Sequence, residues 1–174
     1  MSLIFSILVK NEPYVLTRIS SLFSRRNFNI DSLAVGTTND PAISRITIIL
    51  NADLSRADLI IAQIKKSPVV LAVERLDPSN SVARGLALFK IHADHSNRDS
   101  ILNIANAFRA NVLDISPHSI ILEFTGSANK INAAHIALSH FGILELIQSG
   151  LIALNRLDPI PIIQNHPFLH KNLL

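Results

Sequence analysis

Apolar and polar residues alternate with a period of two over residues 3–9, and this period predicts a β-strand with one buried face. Pro13 then favours the start of a helix, because its ring fixes φ and the residue before a proline avoids helical geometry. The buried positions of the predicted strand and helix are Leu3, Phe5, Ile7, Val9, Val15, Ile19, Leu22 and Phe23.

The rest of the first half continues this order of elements. Asn27 follows the last turn of the helix, where Asn commonly replaces Gly in a left-handed cap. Apolar residues at the spacing i, i+3, i+4 and i+7, beginning at Ala57, predict a second helix. The remaining segments are predicted as strands over 30–35, 45–50 and 69–76, with a loop over 36–42 and a turn at Asn39-Asp40-Pro41.

A second copy of the βαββαβ pattern follows a turn-rich segment at residues 77–81. Strands are predicted over 86–93, 112–115 and 120–125, with helices between them and a last extended segment over 143–154 broken at Ser149-Gly150. The predicted fold class is α+β, with two ferredoxin-like βαββαβ units in tandem. The expected division is residues 1–77, a linker at 78–84, residues 85–158, and a flexible tail at 159–174 that is a candidate docking segment.

Composition narrows the class of protein. Apolar residues make up 48% of the chain and charged residues 17%, which favours a packed core over disorder. The net charge of +3 is mild, and only Arg25-Arg26 and Lys65-Lys66 form basic pairs, unlike the concentrated basic face of a nucleic-acid binder. Residues 3–9 are too few to span a bilayer, and we expect a cytoplasmic protein.

The residues that usually perform catalysis form no recognisable constellation. Cysteine is absent, the histidines are scattered, and no Gly-rich phosphate loop or nucleophile elbow is present, so we expect neither a metal site nor an enzyme. RNA-binding modules share the ferredoxin-like fold but expose aromatic residues on their central strands. Residues 46–50 contain no aromatic residue, and Phe89 and Phe124 are better explained as core residues.

The turn at residues 11–16 is the best candidate for a binding site. The start of a helix presents free backbone amides and a positive dipole end, which suit a carboxylate. Asn11 adds a side-chain donor and acceptor for an amino acid, and Val15 and Leu16 are candidates to line an aliphatic pocket. The same residues also fit a purely structural role, with Asn11 as a cap and the apolar pair in the core.

The turn and the following helix are similar to a known regulatory family. The segment Asn11-Glu12-Pro13-Tyr14-Val15-Leu16-Thr17-Arg18, residues 22–33, and the loop containing Asp40, Pro41, Ser44 and Arg45 resemble the regulatory (small) subunits of acetohydroxyacid synthase, also called acetolactate synthase. The second half resembles the same family more loosely, through Lys90-Ile91, Arg98-Asp99, residues 108–110 and 112–117, and Ser149-Gly150-Leu151.

This resemblance implies an N-terminal ACT domain, a C-terminal ACT-like domain, a homodimer and no catalysis by the chain itself. It implies activation of the catalytic large subunit, which carries the thiamine diphosphate, Mg and FAD, in branched-chain amino-acid (valine and isoleucine) synthesis. It also implies feedback inhibition by valine bound between two ACT domains. The implied effector-binding residues are Asn11, Pro13, Tyr14, Val15 and Leu16, with Asn29 and Ile30 of a second copy.

Tyr14 departs from this family pattern, which has Gly at its position. Because Gly has no Cβ, a ligand can approach the backbone closely there. We therefore expect a chain that activates its partner and responds weakly to valine, unless the Tyr14 side chain points away from the site. A stand-alone ACT amino-acid sensor that acts on another partner, and a small ferredoxin-like enzyme, are the rival interpretations.

Overall fold

The structure is a computed structural model that describes residues 2–156. Contacts between residues divide this part of the chain into two compact units, residues 2–82 with 153–156 and residues 83–152. The predicted tail at 159–174 lies outside the described residues. No helix within residues 2–156 is long and apolar enough to cross a membrane.

The first unit has the predicted βαββαβ order. Its strands are β1 (Ser2–Lys10), β2 (Ile30–Thr37), β3 (Ile43–Asn51) and β4 (Val70–Leu76), and its helices are α1 (Val15–Ser24) and α2 (Ala57–Lys65). A short 3₁₀ turn at Leu54–Arg56 precedes α2. The strands form an antiparallel sheet in the order β2-β3-β1-β4.

The core of the first unit lies between this sheet and its two helices. The alternating residues of β1 that were predicted to be buried are at most 2% exposed, and β3 contributes Ile46, Ile48 and Leu50 opposite them. From the helices, Ile19 and Phe23 of α1 and Ile60 and Ile64 of α2 close the core. Burial of these apolar side chains, at roughly 1.5–3 kcal/mol each, is the main stabilising term of the unit.

The second unit repeats the strand order. Its elements are β5 (Ser81–His92), α3 (Arg98–Ala107), β6 (Asn111–Ile115), β7 (Ser119–Gly126), α4 (Ala128–Leu138) and β8 (Ile143–Gln148). The sheet order is β6-β7-β5-β8, and a short strand β9 (Ile152–Asn155) also pairs with β5. The α+β class with antiparallel sheets and a repeated βαββαβ order is therefore confirmed.

Aromatic residues lie inside the second unit. Phe89 and Phe124 are fully buried, and their ring centroids are 5.0 Å apart in an edge-to-face arrangement. Phe108 packs against Phe124 with a centroid separation of 6.1 Å. Because RNA-binding modules of this fold need these positions exposed for base stacking, the core interpretation of Phe89 and Phe124 is confirmed.

Most boundaries differ from the sequence-based expectation by one or two residues, and two of the differences have an identifiable cause. Helix α1 begins at Val15 and not at Pro13, because Tyr14 adopts a left-handed conformation that no α-helix can contain. Strand β5 begins at Ser81, five residues before the predicted start and inside the predicted linker. Its first residues carry few of the apolar side chains by which the sequence pattern identifies a strand, since only Val82 and Ala83 precede Gly85.

Candidate functional site

The turn between β1 and α1 is fixed at its start by Asn11. The backbone N–H of Asn11 donates to the carbonyl oxygen of Ala42 at 2.8 Å, and its side-chain Nδ2 donates to the carbonyl oxygen of Pro41 at 2.9 Å. Asn11 therefore ties the turn to the loop between β2 and β3. One of its two Nδ2 hydrogens is used in this way, and the side-chain oxygen faces no donor in residues 2–156.

The loop that receives Asn11 has hydrogen bonds of its own. Asp40 accepts a hydrogen bond on Oδ1 from the N–H of Ala42 at 2.8 Å, and the Thr38 hydroxyl donates to the carbonyl oxygen of Asp40. The turn signal at residues 39–41 was visible in the sequence. Its contact with Asn11 was not, because nothing in a local pattern reports a hydrogen bond between residues 30 positions apart.

Tyr14 immediately precedes α1 in the left-handed region, with φ 66° and ψ 1°. Glycine adopts this conformation without steric cost, whereas a residue with a Cβ pays roughly 1–2 kcal/mol. Its side chain is 78% exposed, so the ring is not packed into the core of the unit. The backbone thus keeps a glycine-like geometry at the position where the family pattern has Gly.

The first backbone amides of α1 are free to donate hydrogen bonds to a ligand. The N–H groups of Val15, Leu16 and Thr17 have no acceptor among residues 2–156, and Tyr14 provides no side-chain cap. The first helical bond is donated by Arg18 to the carbonyl oxygen of Tyr14 at 3.0 Å. No acidic residue occupies the first turn of α1. The end of this helix therefore offers both donors and positive potential to a carboxylate.

The two apolar residues of the turn have different environments. Val15 is 6% exposed and belongs to the core of the first unit, so it packs the start of α1 against that core. Leu16 is 43% exposed and is available to contact a bound aliphatic side chain. Of the two residues predicted to line an aliphatic pocket, the structure thus leaves Leu16 at the surface.

The remaining predicted site residues lie at the start of β2. Asn29 is exposed, and its Nδ2 donates to Oδ1 of Asp31 at 2.8 Å. Ile30 is half-buried against the core of the first unit. Strand β2 forms one edge of the four-stranded sheet, so Asn29 and Ile30 lie at the beginning of an edge strand.

Two known protein families match this chain, one in its first half and one in its second half. The family described as "AHAS small subunit-like ACT domain" matches residues 5–72, and the family described as "Small subunit of acetolactate synthase" matches residues 84–157. Together they cover most of the described chain.

Relatives and a solved structure agree with these matches. The acetolactate synthase small subunit of Mycobacterium bovis is 44% identical over 151 residues, which are 87% of this chain and 90% of that protein. A probable acetolactate synthase small subunit of Methanothermobacter thermautotrophicus is 40% identical over 154 residues, 88% of this chain and 92% of that protein. The crystal structure of the acetolactate synthase small subunit from Thermotoga maritima superposes with a TM-score of 0.84 at 32% identity, covering 91% of this chain and 99% of that one. The chain therefore belongs to the acetolactate synthase small-subunit family, the regulatory ACT-domain partner of the catalytic subunit in branched-chain amino-acid synthesis.

Proposed function

We propose that this chain activates the catalytic subunit of acetolactate synthase and transmits feedback from a branched-chain amino acid, valine in the first place. The observation that carries the effector part of the proposal is the uncapped start of α1. Three consecutive amides point out of the helix there, and no acidic side chain in the first turn repels an incoming carboxylate. Such an arrangement binds an α-carboxylate through hydrogen bonds assisted by the helix dipole.

Asn11 and Leu16 supply the rest of the recognition in this proposal. The Asn11 side-chain oxygen accepts from the effector's α-ammonium group, while its Nδ2 stays bonded to Pro41. The exposed Leu16 contacts the aliphatic side chain. Burying a valine-sized side chain contributes roughly 1.5–3 kcal/mol, which favours valine over polar amino acids of similar size.

A homodimer completes the site in this proposal. The β2 edge of one sheet pairs with the same edge of a second copy, which brings Asn29 and Ile30 of that copy to the effector. Val35, on the same strand, is 50% exposed in the single chain and gains cover by this pairing. Analytical ultracentrifugation tests it, since Val35→Asp is expected to shift the protein from dimer to monomer.

Tyr14 weakens the response to the effector in this proposal. Tyr14 directly precedes the free amides of Val15 and Leu16 in the chain, and it adds a Cβ and an exposed ring where the family pattern has Gly. A glycine would leave that approach open. We expect Tyr14→Gly to tighten valine binding by about tenfold, equivalent to about 1.4 kcal/mol.

Acetolactate formation by the catalytic subunit tests these points together. It is measured for the catalytic subunit alone, with this chain, and with this chain plus valine, using wild type and Tyr14→Gly. Arg109→Gly is the matched control, because Arg109 also has positive φ, at 52°, but lies in the second unit. We expect all three forms of the chain to stimulate the catalytic subunit. Valine should inhibit more strongly with Tyr14→Gly than with wild type, and equally with Arg109→Gly and wild type.

Two outcomes contradict parts of the proposal. If the chain does not stimulate the catalytic subunit, activation is wrong and a sensor acting on another partner replaces it. If wild type and Tyr14→Gly respond equally to valine, Tyr14 does not weaken the site.

A further inference from the structure

A cleft of about 390 Å³ lies between α1 and the end of α2, on the helix side of the first unit. Its volume falls within the range of small-molecule sites, roughly 300–1,000 Å³. The cleft is lined on one side by α1 and the preceding turn and on the other by the end of α2 and the residues after it. Its lining includes Arg18 and Arg25 from the first side and Gln63 and Lys66 from the second.

The charged groups of this cleft are all cationic. Arg18, Arg25 and Lys66 line it, and no Asp or Glu does. Within residues 2–156, none of these three side chains has an ion-pair or hydrogen-bond partner. All three are exposed, and three cations around one concavity, without a carboxylate, give it a positive potential that attracts anions.

Helix dipoles explain the positions of only two of these three cations. Arg25 and Lys66 follow the last residues of α1 and α2, where a cation interacts favourably with the negative end of a helix. Arg18 is the fourth residue of α1, close to the positive end, where a cation is unfavourable by a few tenths of a kcal/mol. The dipole of α1 therefore does not favour a cation at Arg18.

Gln63 adds oriented donors to the same cleft. Its Oε1 accepts a hydrogen bond from Nη2 of Arg26 at 2.8 Å, which fixes which end of the amide group is the acceptor. Its Nε2 donors then have no acceptor among residues 2–156. The side-chain amide therefore presents hydrogen-bond donors, in agreement with the three cations.

The spacing of the two arginines indicates the size of the ligand. Arg18 and Arg25 are seven residues apart, so they lie on one face of α1 about 10 Å apart along its axis. A single phosphate would reach both guanidinium groups only if the two side chains bent towards each other along the helix. A ligand with several negative charges distributed along its length fits better.

We propose that the cleft between α1 and α2 is a binding site for a small oxyanion carrying at least two negative charges, such as a di- or triphosphate or a polycarboxylate. Arg18 and Lys66 hold the anion from opposite walls, Gln63 donates from the floor, and Arg25 holds the far end. The cleft borders the proposed effector site at Tyr14 and Thr17, but the four groups that hold the anion, Arg18, Arg25, Gln63 and Lys66, are not part of that site.

Isothermal titration of the full chain with inorganic tripolyphosphate, with citrate and with inorganic phosphate tests this site, at low ionic strength because salt screens exposed charges. We expect saturable one-to-one binding of tripolyphosphate, or of citrate if the natural ligand is a polycarboxylate, and at least tenfold weaker binding of phosphate. Backbone amide shifts in NMR spectra should concentrate in residues 14–25 and 63–68.

Two double variants that remove the same charge distinguish a specific binding site from a general effect of positive charge. Arg18→Gln/Lys66→Gln should raise the Kd for the bound anion at least tenfold. Arg84→Gln/Lys90→Gln removes the same charge from exposed positions of β5 and should change it less than twofold. Equal losses in the two variants, or no saturable binding of either polyanion to wild type, would overturn the proposal.

Discussion

Arg26 and Gln63 join the end of α1 to α2 by a hydrogen bond of 2.8 Å between Nη2 and Oε1. Arg26 also donates from Nη1 to the carbonyl oxygen of Leu22 at 3.1 Å, so its guanidinium group is held at both ends. Since a hydrogen bond of this kind contributes about 1 kcal/mol, we expect Arg26→Ala to lower the free energy of unfolding by about 1–2 kcal/mol. Urea denaturation followed by circular dichroism measures this change.

The adjacent arginine provides the control for this prediction. Arg25→Ala removes the same charge and a similar side chain, but Arg25 makes no side-chain hydrogen bond with residues 2–156. Its free energy of unfolding should stay within about 0.5 kcal/mol of wild type. Equal effects of the two substitutions would mean that charge, and not the bond to Gln63, accounts for the loss.

The left-handed conformation of Tyr14 predicts a ranking of substitutions. We expect Tyr14→Val to destabilise the protein by about 1 kcal/mol, because a β-branched residue tolerates φ 66° less well than tyrosine. Tyr14→Gly should remain within about 1 kcal/mol of wild type, since relief of strain is offset by the larger entropy of the unfolded chain. Equilibrium urea denaturation gives both values.

Thr17→Val tests whether the Tyr14 effect comes from the backbone conformation. Thr17 lies three residues later, at an exposed position of α1 with ordinary helical geometry, and the substitution keeps a β-branched side chain. It should change the free energy of unfolding by less than about 0.5 kcal/mol. A Tyr14→Val variant as stable as wild type would show that the turn relaxes out of the left-handed region.

Sequence periodicity predicted the fold well because both units alternate apolar residues with the periods of strands and helices. Even the left-handed cap at Asn27, with φ 55°, followed from residue type and position. The start of α1 was not predicted correctly, because tyrosine is not a residue type that indicates positive φ. The cleft between α1 and α2 was equally hidden: the basic pairs at 25–26 and 65–66 were visible, but the sequence does not show that Arg25 and Lys66 face one cavity.

The aromatic cluster of the second unit predicts where core substitutions cost most. Phe124 is fully buried between Phe89 and Phe108, so Phe124→Ala removes two ring contacts and leaves a cavity. We expect a loss of about 3–5 kcal/mol in the stability of this unit, measured by urea denaturation. Leu113→Ala, at a position 53% exposed in β6, should cost less than about 1 kcal/mol. Similar costs for the two variants would contradict this placement of the core.

A half-buried carboxyl group in the first unit predicts a pH dependence of stability. Burial raises the pKa of Glu74 above its ordinary value of 4.5, and the hydrogen bond with Asn155 and the positive charge of Arg45 offset this only in part. Oε1 of Glu74 has no hydrogen-bond partner among the described residues. Charging this group is therefore less favourable in the folded protein than in the unfolded chain.

The sign of the effect follows from proton binding. Between the ordinary pKa and the raised pKa of Glu74, the folded protein holds more protons than the unfolded chain, so its stability falls as pH rises through this window and then levels off. Glu74→Gln cannot ionise and loses this dependence. We expect its stability to be close to that of wild type near pH 4, to exceed it increasingly through this window, and to keep a constant advantage above it.

Urea denaturation of wild type and Glu74→Gln at pH 4, 5, 6 and 7 measures this difference. Glu145→Gln is the matched control, because Glu145 is exposed on β8 and has no hydrogen-bond partner among residues 2–156. It should follow the wild-type pH profile. A Glu74→Gln variant that is less stable than wild type at pH 7 would mean that the attraction of Arg45 and Asn155 for the carboxylate outweighs the cost of its burial.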